Sequence, residues 1–165
     1  MFGILFELID ILFNPIKFIS DVVRDGVVPS NGAVVYCKIG PVEHTGIYLK
    51  GYRQILHRNR HGHIELVPPE DFTFNYGDTI YVSSYQCESI ESSRAADRAL
   101  NYYKSATWEP YDIVTSNCHK FTAGCITGDF NNNVFTFFML DIEMRLATQH
   151  NNWRTWKVED GNYLL

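Results

Sequence analysis

Asn117-Cys118-His119-Lys120-Phe121 and, well upstream, His44-Thr45-Gly46-Ile47-Tyr48-Leu49 hold residue types that do nucleophilic chemistry. Asparagine followed by cysteine and a short apolar-periodic run reads as a helix start, with Asn117 as its N-cap. That puts the Cys118 thiol at the positive end of a helix dipole, where thiolate is favoured. A thiol nucleophile needs a base that takes its proton and returns it to the leaving group, and a strand histidine supplies one. Cys118 is therefore the candidate nucleophile, His44 the candidate general base and His57 the candidate orienter of His44. The first amides of a helix point outward, so the Cys118 backbone N–H is a candidate oxyanion donor. Tyr48 falls on the His44 face of its strand by the period of two, as a pocket-lining residue or as core. His119 points about 100° round the helix from Cys118 and is a poor base. Glu43 faces away from His44 along the strand.

The elements that position these residues follow from turn signals and periodicity. Ala33–Cys37 reads as a buried strand, broken at Gly40-Pro41. His44–Leu49 and Gln54–His57 flank Lys50-Gly51, a hairpin signal. A two-residue loop there sets His44 directly opposite His57, β-carbons ~5 Å apart on one face. A slipped register brings in His61 or His63 instead. Further strands are expected at Ile64–Val67 and Asp78–Val82, with a short extended piece at Tyr111–Val114. Helices are expected over Ser92–Ser105, from Cys118 to a stop at Gly128, and over Val134–Ala147, the last with Phe135, Phe138, Met139, Ile142 and Leu146 along one side. Trp153 and Trp156, at i and i+3, read as a packing stripe. Helix, antiparallel strands, then helices make an α+β pattern.

Residues 1–13 are strongly apolar and read as an amphipathic helix ending near Asn14-Pro15, within an N-terminal apolar-helix segment 1–24 ahead of a single domain over 25–165 that ends in a C-terminal helix. The apolar run is too short to span a membrane and holds Glu7 and Asp10. It either docks on the domain or, through residues 1–20, makes a peripheral membrane or protein contact.

The chain has 165 residues, with 45% hydrophobic and 20% charged, as expected of one globular domain. A net charge of −5 argues against a nucleic-acid role. Arg53, Arg58 and Arg60 are too small a basic cluster to change that. The four cysteines, Cys37, Cys87, Cys118 and Cys125, match no zinc spacing, so no metal or cofactor is expected. Cys118 and Cys125 lie roughly 10 Å apart on one helix, too far to bridge. All four read as reduced thiols of a cytoplasmic protein, three of them as small buried hydrophobes.

His44-Thr45-Gly46-Ile47-Tyr48-Leu49, then His57, then Asn117-Cys118-x-x-Phe121 resembles the lecithin:retinol acyltransferase-like family. That family is a circularly permuted branch of the papain-like cysteine hydrolases, in which the histidine precedes the cysteine. The resemblance runs from about Pro29 to Gly128 and includes Trp108 and Tyr111 ahead of the cysteine. His119-Lys120 stands where the family has Glu-His. The resemblance implies a Cys118-His44-His57 triad and an acyl–Cys118 thioester, formed from phospholipid acyl esters and passed to water or another acceptor. The wider papain-like clan implies peptide or amide cleavage as the alternative. A non-catalytic interaction module on the same scaffold is the reading from a different class.

Overall fold

The computed structural model describes residues 26–74, 79–105, 108–110, 112, 116–159 and 161–165. The helix expected over residues 1–24, its contact surface at 1–20 and most of Tyr111–Val114 lie outside them. The strands are β1 (Val34–Ile39), β2 (Val42–Leu49), β3 (Gln54–Arg58), β4 (Ile64–Val67), β5 (Tyr81–Tyr85), β6 (Glu88–Ser89), β7 (Asn152–Thr155), β8 (Val158–Glu159) and β9 (Asn162–Tyr163). The helices are α1 (Pro69–Phe72), α2 (Ser93–Lys104), α3 (Cys118–Thr127) and α4 (Phe137–Ala147). The architecture is α+β: an antiparallel sheet ordered β4-β3-β2-β1-β5-β6, with β7 also paired to β5, packed against helices. β8 and β9 form a separate hairpin.

The sheet is covered on both faces, so its central strands are apolar on both sides. Val34, Tyr36, Ile47, Leu49 and Leu56 face Phe121 of α3 and Leu140 and Met144 of α4. Val35, Cys37, Tyr48 and Ile55 face the other way, toward Phe72 of α1, Ile80 and Trp156.

Four expectations are corrected. The β2–β3 loop has four residues, 50–53, because the left-handed residue is Arg53 (φ 55) and Gly51 has no positive φ. Lys50-Gly51 therefore forms no primed two-residue turn. The buried side of α4 is Phe137, Leu140, Asp141 and Met144, whereas Phe138, Met139 and Leu146 are exposed. Trp153 and Trp156 sit on and just after a strand, so three residues of separation put them in opposite core layers. Of the three cysteines other than Cys118, only Cys37 and Cys125 are buried, and Cys87 is exposed.

β7 is locked to α4 by a buried carboxylate. Asp141 accepts from Trp153 Nε1 (2.8 Å), pairs with His150 Nε2 (3.0 Å) and takes the Arg145 guanidinium at 2.8 Å. Burial pushes its pKa up, but the His150 hydrogen bond and the charges of His150 and Arg145 win and hold it at about 2. Its folded pKa is below its unfolded one. The stabilisation is therefore complete above the ordinary carboxylate pKa and is lost as pH falls toward 2. Asp141→Ala strips the carboxylate from Arg145, His150 and Trp153, leaving Arg145 only the Asn151 carbonyl, and it is expected to cost about 3–5 kcal/mol in denaturant unfolding at pH 7. The difference from wild type should shrink below pH 4.

Candidate active site

Helix α3 begins where the sequence predicts. Asn117 takes an extended backbone, and its Oδ1 accepts from Lys120 N at 3.1 Å while its Nδ2 donates to Phe135 O at 2.7 Å. The far end closes with Gly128 in the left-handed region (φ 89). There the Arg98 guanidinium of α2 donates to the Cys125 and Ile126 carbonyls, a cation at the negative end of the helix. Upstream of α3, the buried Arg58 guanidinium reaches Glu109 Oε2 (3.1 Å), Tyr102 OH (3.2 Å) and Ser116 Oγ. Arg58 is thus not part of a basic surface cluster; it ties the approach to Cys118 onto β3.

His44 is the third residue of β2, which starts earlier than the sequence suggests. The longer loop slides the register by two residues: His57 lies opposite Gly46, not His44. A slip of two keeps every side chain on its face, so His44 and His57 remain neighbours on a diagonal. His44 Nε2 and His57 Nδ1 are 2.7 Å apart. Gly46 makes this contact possible. A β-carbon there would lie 3.1 Å from His57 Cβ and 2.7 Å from Ile55 Cγ2, in the space across which His57 leans. His61 and His63 lie on the exposed turn and take no part in the contact. Phe72 and Phe74 flank the His44 ring, at centroid distances of 5.0 and 5.6 Å.

Thr45, which no sequence signal marks, joins the helix to this pair. Tyr48 exchanges both backbone hydrogen bonds with Gly32 and Ala33, ahead of β1. Even-numbered residues of β2 therefore bond toward β1 and odd-numbered ones toward β3. The β2–β3 pairing stops at Gly46 and His57, so the Thr45 N–H faces the gap beyond the last pair. The Cys118 thiol draws on the Thr45 backbone and hydroxyl and on the amides of Cys118 and His119. The Thr45 hydroxyl also meets His119 Nδ1 (3.2 Å) and Thr122 Oγ1 (3.1 Å). The sulfur thus comes from the helix face and lies at the backbone of the residue next to His44. No hydrogen bond joins Cys118 to His44 among the described residues.

Burial overrides the helix dipole. Cys118 is 2% exposed, and desolvation raises its thiol pKa despite the opposing hydrogen bonds. His44 is held well below the ordinary histidine range by burial, then by the charges of His57 and His119. Burial alone takes His119 down to about 4. Both directions run against the expected thiolate: burial favours the thiol at Cys118 and the neutral imidazole at His44. Tyr48 shares the His44 face but is fully buried against Trp156 (5.0 Å), as core and not as a pocket rim. Beyond the pair, His57 Nε2 lies 3.2 Å from Glu65 Oε1, an oblique approach closer to a charge contact than to a straight hydrogen bond. The Thr45 and Glu65 roles carry no motif; only the register exposes them.

Gly46→Ala is expected to cost about 1–3 kcal/mol through overpacking. It should also displace His57, and with it the His44–His57 hydrogen bond seen in imidazole NMR. Wild-type imidazole spectra in a stable Gly46→Ala protein would refute this account of the glycine. A second expectation concerns pH. His119 titrates at about 4 in the folded protein, against 6.5 for an unperturbed histidine, so its contribution is intact above about pH 6.5 and is lost as pH falls toward 4. His119→Gln should flatten the fall in stability across that window, measured by urea unfolding.

No family model, curated protein or solved structure matches this chain.

Proposed function

We propose that the protein is a cysteine-dependent acyl hydrolase or acyltransferase of the lecithin:retinol acyltransferase-like type, on a circularly permuted papain-like scaffold. The observation that carries this is the convergence at one strand end: the Cys118 sulfur at the Thr45 backbone, beside a His44 that is already paired to His57 at 2.7 Å. Helix α3, with the nucleophile at its first turn, follows the base strand β2 in the chain, the order of the permuted branch.

The steps follow from the groups present. His44 Nδ1 takes the thiol proton as the sulfur attacks the acyl carbonyl carbon, so the S–H bond breaks and an N–H bond forms. The amides at the α3 N-terminus face the developing oxyanion. The tetrahedral centre collapses, the leaving alkoxide takes the proton from His44, and an acyl–Cys118 thioester remains. Water, deprotonated by His44, then attacks the thioester. The carboxylic acid leaves and the thiol is restored; an alcohol or amine in place of water gives transfer. Because the resting pair is neutral, proton removal belongs to the attack itself and does not precede it.

An acyl ester of a lipid is the favoured substrate. Phe74, 37% exposed, stands beside His44 and gives the approach an apolar side. No helix among the described residues is long and apolar enough to cross a membrane, and we place the protein in the cytoplasm with peripheral access to lipid. No metal or cofactor enters these steps.

Incubation with p-nitrophenyl esters of fatty acids, followed by intact mass and peptide mapping, should show one acyl group on Cys118. Cys118→Ala should lose it, and His44→Ala should slow acylation by about 10²–10⁴-fold. An acyl group on another residue, or none with any chain length, would overturn the proposal. Iodoacetamide should alkylate Cys118 slowly at pH 7 and faster as pH rises past the ordinary thiol range, since burial holds the thiol protonated. A rate plateau below pH 7 would contradict the neutral resting pair.

A further inference from the structure

Resting on the acyl-transfer function just proposed, we propose that Glu65 is a positioning residue that fixes the proton positions of both histidines. Its carboxylate, through His57, leaves His44 Nδ1 as the bare base for Cys118.

The inference comes from counting donors and acceptors along three side chains. Glu65 lies directly across β3–β4 from His57, and its Oε1 is 3.2 Å from His57 Nε2. An ionised carboxylate only accepts hydrogen bonds. Nε2 is the His57 nitrogen that faces this acceptor, so the carboxylate favours the proton on Nε2 and the lone pair on Nδ1. That lone pair is 2.7 Å from His44 Nε2, so His44 must carry its proton on Nε2 and present a lone pair at Nδ1. The opposite arrangement, with protons on both Nδ1 atoms, keeps the His44–His57 hydrogen bond but leaves a bare His57 nitrogen facing a carboxylate. His44 would then have no base to offer on Nδ1.

Glu65 is itself held. The Asn59 Oδ1 accepts from the backbone N–H groups of His61 and His63, at 2.9 and 3.1 Å, which shapes the β3–β4 turn. The Asn59 side chain also supports the Glu65 carboxylate, whose pKa the His57 contact and Asn59 keep below the usual range despite burial. The titratable groups that bear on the relay, besides Glu65, are thus His57 on β3, His63 on the turn and His119 of α3. In the reaction no proton needs to reach Glu65. When His44 Nδ1 gains the thiol proton, the imidazolium keeps its Nε2–H on His57, and the carboxylate faces the new positive charge through that ring.

Two measurements test the assignment. The first is acylation by a p-nitrophenyl fatty ester as a function of pH. Glu65→Gln should lower the maximal rate by at least about tenfold and move the acid limb to lower pH, because His44 loses the anion that favours its charged form. Glu65→Asp should restore part of both. A lowered melting temperature with the limb unmoved would mean that Glu65 only stabilises the turn, and would overturn the proposal. The second is long-range nitrogen–proton NMR of histidine-labelled protein, assigned with single histidine variants, which needs no activity. In wild type at pH 7 both His44 and His57 should carry the proton on Nε2, and Glu65→Ala should mix the tautomers. A wild-type His57 protonated on Nδ1 would overturn the proposal. Failure of wild type to acylate Cys118 would count against the thiol function, and the tautomers would then decide the Glu65 role alone.

Discussion

The end of the β2–β3 pairing at Gly46 and His57 is the constraint on which the site depends. One residue further, the strands part and the Thr45 N–H turns into the gap, where the Cys118 sulfur meets it. At the same boundary a glycine stands at 46, where a side chain would meet Ile55 Cγ2 at 2.7 Å, the Leu56 carbonyl at 3.0 Å and His57 Cβ at 3.1 Å. The boundary also divides the work of two adjacent residues. His57 turns to the α1 face and contacts His44, while Arg58 turns to the α3 face and secures Ser116, two residues before the nucleophile. A single strand end thereby sets both halves of the candidate site.

The electrostatics follow from how deep this boundary lies. Sulfur and imidazole are almost fully removed from water, and each is pushed toward its uncharged form. A preformed thiolate–imidazolium pair would have to offset two desolvation penalties in the resting protein. A neutral pair avoids them, and under the proposed mechanism charge separation waits for the oxyanion to form at the helix amides. Such a site reacts slowly with small electrophiles near neutral pH and faster as pH rises.

Much of the site is legible in the chain because its signals are local. Asn117 ahead of Cys118, the Gly128 stop and the period of two through His44, Gly46 and Tyr48 are each read within a few residues. What is not legible depends on partners distant in sequence. Lys50-Gly51 signals the loop between β2 and β3, yet the left-handed residue is Arg53. The two-residue difference spares the His44–His57 pairing only because it is even. The buried side of α4 escapes the periodicity because Phe137, which packs on Tyr36 and Trp153, and the buried Asp141 compete with an equally apolar outer side. The pull of the dipole on Cys118 is visible in the chain; the burial that outweighs it is not, because burial is set by β2 and α3 together.

Most direct is the distance between the nucleophile and its base. 1,3-Dichloroacetone alkylates a thiol and then, through its second chloromethyl group, an imidazole nitrogen held close to it. Treated protein digested and mapped by mass spectrometry should give one cross-linked pair, the Cys118 peptide joined to the His44 peptide, in good yield. Cys118 alkylated once and left unjoined, or joined to His119 instead, would show that His44 does not face the sulfur, and the catalytic account would fail.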